Sequence, residues 1–313
     1  SFTKNFSRLS AAIQHKFVKI ITACIDSLDA CLRKLNPPST KLHNPYRDSV
    51  SICVFFLSHT IRRGQEISDV AADKKKSIDQ HRSKSIESKK NRSEAVDAIE
   101  RWKKTCTLAV NSMCIASEFN FAQLWPLGIP EEKFIQILWK TGTFLLEIPF
   151  ITQKEGDLLD VTVRLIAVCA KKFPAIRPSI VARLCSLLTN EQTENTNSKI
   201  AEPICKIIFL MAKQFKENCI VVGLLQEIGS MRLFEGAQDA QSLSQCCRNV
   251  GCFLIYISRN LPALVLPHLV YILPHLDSAV YPMRSAICES IGNLIVQLHQ
   301  NEFSRETQML QND

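Results

Sequence analysis

Apolar side chains recur at steps of three and four residues along most of this chain, which is the spacing of one helix face. In residues 7–35 they form a stripe along one long predicted helix: Leu9, Ile13, Phe17, Ile20, Cys24, Leu28, Cys31 and Leu35. Two prolines at 37 and 38 end this helix, and a second helix is predicted from about residue 48 to 61. Residues 1–61 are therefore predicted to form a helical hairpin.

The helical pattern is dense again from residue 94 to the end of the chain. Helices are predicted near 95–118, 131–148, 156–173, 178–189, 199–217, 218–229, 238–260, 262–276 and 279–300. From about residue 130 a pair of helices recurs roughly every 42 residues, which is within the range of HEAT and armadillo repeats. With only 9 glycines and no alternating strand pattern, we predict an all-α fold, a HEAT/armadillo-type α-solenoid of antiparallel helix pairs over 94–313.

Residues 62–93 differ in composition, with ten Lys or Arg against five acids, several serines and few apolar residues. Such a segment buries too little surface to offset its ordering entropy, so it is predicted to be a flexible linker or a solvated extension of the flanking helices. Its cations could instead neutralise DNA phosphates without reading sequence. The candidate DNA-binding residues are Lys74, Lys75, Lys76, Arg82, Lys84, Lys89, Lys90 and Arg92.

Composition narrows the class of protein only moderately. Apolar residues make up 46% and charged residues 22%, as in ordinary folded proteins, and the net charge of +8 permits an acidic partner such as nucleic acid. The 13 cysteines form no CxxC pair and are predicted to be reduced, buried thiols of a cytosolic or nuclear protein. The examples at apolar helical positions are Cys24, Cys31, Cys114, Cys169 and Cys205.

No membrane span or signal peptide is predicted. The most apolar stretch, 261–276, is interrupted by three prolines and is shorter than the roughly 20 residues that a span needs. Charged residues interrupt the apolar positions at the start of the chain. The first residue is serine, which is consistent with a fragment of a longer protein.

The sequence contains no recognisable catalytic or metal motif. It has no glycine-rich phosphate loop, and the spacing of Cys246, Cys247 and Cys252 with His268 and His275 fits no closed zinc site. We therefore predict neither enzyme activity nor a cofactor nor a small-molecule substrate.

Three tryptophans, Trp102, Trp125 and Trp139, are either interface anchors or packing residues. Trp125, which precedes Pro126 in an irregular turn, is the candidate for partner binding.

The last helix pair carries a more specific pattern. In ALVLPHLVYILPHLDSAVYPMRSAICESIGNLI, an apolar helix is followed by a turn containing Asp277 and then by Arg284 near the start of the next helix. This resembles the HEAT repeat, in which Asp277 would bind turn amides and Arg284 would reach an acceptor on a neighbouring repeat. The pair is our candidate structural motif.

Two stretches resemble a particular family, condensin complex subunit 1. They are LWPLGIPEEKFIQILWKTGTFLLEIPFI (124–151) and LPHLDSAVYPMRSAICESIGNLI (273–295). With the order of the helices between them, the resemblance covers about 95–300, whereas 1–61 is similar only in character and 62–93 and 190–198 depart from the family.

The resemblance implies the N-terminal region of condensin's HEAT-repeat regulatory subunit, a non-catalytic scaffold. Members of this family bind the kleisin subunit, contact SMC ATPase heads and DNA, and act in mitotic chromosome condensation. It further implies location in the nucleus and on chromosomes, with a cytoplasmic phase of the cell cycle. The alternative is another HEAT/armadillo adaptor, such as a nuclear transport receptor.

Overall fold

The computed structural model describes residues 11–34, 86–118, 132–147, 157–189, 200–230, 240–278 and 280–312, and 48–62 except positions 49, 56, 59 and 60. Its helices are α1 (Ala11–Lys34), α2 (Ile86–Glu118), α3 (Glu132–Leu146), α4 (Asp157–Lys172), α5 (Arg177–Thr189), α6 (Ala201–Lys213), α7 (Cys219–Ser230), α8 (Ala240–Asn260), α9 (Pro262–Val265) and α10 (Tyr281–Asn312). The described residues of 48–62 are also helical, and none of the residues in these ranges lies in a strand. The predicted all-α class of helix pairs is confirmed.

The chain divides into two compact units. The first comprises Ser1–Gly142 and Gly156–Lys172, and the second comprises Thr143–Glu155 and Phe173–Asp313. Within the first unit α1 packs against α2, and the linker over 62–93 with its boundary at residue 94 stays a prediction.

In the first unit, each helix packs on the helix two places earlier in the chain. Helix α2 contacts α1 on one side and α4 on the other. His15 Nδ1 lies 2.9 Å from Thr105 Oγ1, and Ser112 Oγ donates to Thr22 Oγ1 at 3.0 Å, both at a sequence separation of 90. Because the separation is constant, α1 and α2 run parallel, as equivalent helices of successive repeats do.

The helix at 48–62 and the part of α3 up to Gly142 form the other layer of this unit. Ser58 Oγ lies 3.0 Å from Thr141 Oγ1 across a separation of 83 residues, and both side chains are buried. These polar pairs are satisfied inside the core, so they favour one alignment of the stacked helices over its neighbours.

The second unit repeats this two-layer order. Helix α5 packs on α7, and α7 packs on the 3-10 helix Leu266–Tyr271, whereas α6 packs on α8 and α8 on α10. Asn249 in α8 joins the two layers by donating to the carbonyl of Leu188 in α5 at 3.4 Å.

Contacts between stacked helices measure the repeat length directly. Gln226 donates to Tyr271 at a separation of 45 residues, and Arg183 binds Glu147 at a separation of 36. One separation is longer and the other is shorter than the predicted period of about 42 residues. The separation of 90 between α1 and α2 is about twice as long, so the chain between them contains roughly one repeat length of additional sequence.

Two boundaries differ from the sequence prediction. Helix α2 begins at Ile86, so residues 86–93 are helical and correspond to the predicted alternative of a helix extension rather than a linker. The predicted helix 262–276 is instead a single α-helical turn followed by two 3-10 helices, Leu266–Tyr271 and Leu273–Asp277. Each 3-10 helix has proline in its first turn, at 267 and at 274, where a missing N–H group prevents a continuous α-helix.

Candidate interaction surfaces

The turn that contains Asp277 and Arg284 is closed by local bonds. Arg284 Nη1 donates to the carbonyl of Ser278, and its guanidinium lies 5.9 Å from the ring centre of Tyr281. The backbone N–H of Val280 donates to Ser278 Oγ at 3.2 Å, while Asp277 is exposed. The observed acceptor for Arg284 is thus in its own turn, where the sequence suggested a neighbouring repeat. Ser278 binds the turn amide that we assigned to Asp277, a role for which serine in a turn is a known signal.

The structure places only part of the candidate DNA-binding cluster. Residues 74–84 lie outside the described residues, as does Trp125. Lys89, Lys90 and Arg92 belong to the first turns of α2. The structure describes their backbone but not their side chains. Further along α2, more than ten residues after Arg92, Thr105 Oγ1 lies 2.9 Å from His15 Nδ1 of α1.

Four arginines on the repeats bind glutamates on neighbouring elements. Arg164 binds Glu118 at 3.1 Å and Arg177 binds Glu217 at 3.2 Å. Arg259 similarly binds Glu289 in α10 at 3.1 Å, and Arg183 binds Glu147. Such solvated pairs contribute at most about 1 kcal/mol each, but they neutralise the arginine charge that could otherwise face a polyanion.

Trp139 is a core residue. It is buried in α3, with Lys140 Nζ 5.8 Å from its ring centre. Within the described ranges its indole Nε1 has no hydrogen-bond partner. Packing is therefore its observed role. The side chain of Trp102 lies outside the described set.

Most of the described cysteines are packing residues. Of the five cysteines named above, Cys114, Cys169 and Cys205 are buried as predicted. Cys24 is exposed, and the side chain of Cys31 is outside the described set. His275 is buried with Nε2 3.0 Å from the carbonyl of Ile228.

No three metal-ligand side chains converge among the residues that the structure describes. Within the same residues, no single helix is long and apolar enough to cross a membrane. One pair, Cys246–Asn260 with Pro262–Tyr271, meets the criterion on length and composition alone, and it is bent by 113°.

Residues 11–176 show the family to which the chain belongs. This stretch, from the first residue of α1 to the end of the 3-10 helix before α5, matches the family model described as "non-SMC mitotic condensation complex subunit 1, N-term". The chain belongs to this family. The match includes the candidate residues 74–92 and Trp125, whereas Asp277 and Arg284 lie beyond it.

Individual members of the condensin subunit 1 family are distant in sequence. Condensin complex subunit 1 of Xenopus laevis is 22% identical over 200 residues, which is 62% of this chain and 14% of that protein. The human protein is 22% identical over 58% of this chain, and the mouse protein 23% identical over 61%. The chain thus aligns with 12–14% of the length of these relatives.

Proposed function

We propose that this chain is a non-catalytic HEAT-repeat scaffold from the N-terminal region of a condensin regulatory subunit. It binds the kleisin subunit and helps engage DNA and the SMC heads in mitotic chromosome condensation, in the nucleus and on chromosomes. The observation that carries the proposal is the family match over 11–176, which falls on helices stacked as repeats. Stacked repeats offer an extended surface of ridges and grooves to which a long peptide can bind.

DNA contact is assigned to the basic segment rather than to the repeats. The repeat arginines Arg164, Arg177, Arg183 and Arg259 already bind glutamates. The segment 62–93 has a two-to-one excess of basic over acidic residues. Its lysines and arginines would neutralise phosphates and release counterions, which gives affinity that falls steeply with salt.

The partner test is a pull-down with the full 313-residue chain as bait. Purified kleisin and SMC head domains are offered separately and together, and a small GTPase of nuclear transport is offered in parallel. Retention of kleisin supports the proposal, and a Trp125→Ala variant that weakens it identifies this tryptophan as a contact. Retention of the GTPase without kleisin would instead support a transport receptor and overturn the condensin assignment.

The DNA test compares two variants with equal loss of charge. One replaces Lys74, Lys75, Lys76, Arg82 and Lys84 by Gln; the other replaces five exposed lysines of the helices by Gln: Lys16, Lys104, Lys133, Lys172 and Lys213. We expect the first set to weaken binding to a DNA duplex about tenfold or more at 50 mM salt and to reduce the salt slope, because each lost phosphate contact lowers the slope by about one. Equal losses in the two variants, or affinity independent of salt, would remove the basic segment from the proposal.

A further inference from the structure

We draw no further inference here: the strongest candidate, the exposed apolar side chains of Val270, Leu273 and Tyr281 on the two 3-10 helices and the first residue of α10, carries none, because nothing among the described residues shows what covers them.

Discussion

At the scale of single residues, two helical glycines have opposite surroundings. A Cβ at Gly251 in α8 would stand 2.8 Å from the Cβ of Ala286 in α10, whereas a Cβ at Gly292 would meet nothing within 4 Å. Gly251→Ala should therefore destabilise the chain by about 1–3 kcal/mol through overpacking. Gly292→Ala should stabilise it by about 0.5–1 kcal/mol, because alanine favours helix over glycine. Urea unfolding of the two variants checks both signs, and each is the control for the other.

Lys216 lies in the turn three residues after α6 ends, with φ of 56°, the left-handed region that side chains other than glycine enter at a cost. Lys216→Gly should raise the free energy of unfolding by about 1 kcal/mol, since glycine has no Cβ to crowd the backbone there. Lys213→Gly, in the last turn of the same helix, should lower it. A lower melting temperature for Lys216→Gly than for the parent would contradict this account of the helix end.

The thiols should differ sharply in reactivity. Burial raises the pKa of Cys114 and of Cys185 to about 12, so almost no thiolate forms near neutral pH. Cys219 and Cys288 are exposed. Maleimide labelling followed by peptide mapping should modify Cys219 and Cys288 in the native chain and Cys114 and Cys185 only after denaturant is added. Equal labelling of all four in the native chain would show that the cores open readily.

At the scale of elements, the contact between α1 and α2 should respond to pH. Burial, and then the charge of Lys19, lower the pKa of His15 below its ordinary 6.5, so the folded state prefers the neutral ring beside Thr105. The resulting stability is present above pH 6.5 and is lost as pH falls through the lowered pKa. Between pH 7.5 and pH 5 the melting temperature should fall by more in the parent than in His15→Gln. The glutamine amide keeps a hydrogen-bonding group but does not titrate. Parallel losses would show that His15 is not responsible.

Helix α1 also shows which part of an element can be predicted from sequence. Its extent follows from apolar spacing and the prolines that come after it, and the observed Ala11–Lys34 agrees with the predicted 7–35. Its inner face does not follow, because two of the residues facing α2, His15 and Thr22, are polar and are satisfied by partners far along the chain. The apolar stripe of Ile13 and Ile20 is exposed instead. Contacts between residues 90 positions apart in the chain depend on the tertiary fold, and the local spacing of apolar residues does not predict them.

At the scale of the whole molecule, the repeat period could be predicted and the sites could not. Steps of roughly 42 residues are visible because every helix pair must bury an apolar face against the next pair. The separations of 36 between Glu147 and Arg183 and 45 between Gln226 and Tyr271 agree with that period. Phosphate binding, by contrast, requires only accessible cations, which have no periodic pattern. The basic segment therefore stands out by composition alone.

The separation of 90 residues between α1 and α2 leads to a prediction about this segment. If the additional chain contributes charge rather than packing, replacing residues 66–84 by about ten Gly and Ser residues should preserve the fold. Shortening a connection changes its closure entropy by only about 0.6 kcal/mol per halving of length. The free energy of unfolding should therefore change little, while DNA affinity should fall as it does when Lys74, Lys75, Lys76, Arg82 and Lys84 are neutralised.

A second replacement separates length from charge. It keeps the parent length of 66–84 but exchanges each charged residue for Ser, Asn or Gln. Because the proposed contacts are electrostatic, both replacements should lose DNA binding equally, and both should retain the urea unfolding midpoint of the parent. Loss of stability in the shortened chain alone would show that the segment packs against the repeats. Full DNA affinity in either replacement would place the phosphate contacts on the helices and leave the segment as a connection between the helix at 48–62 and α2.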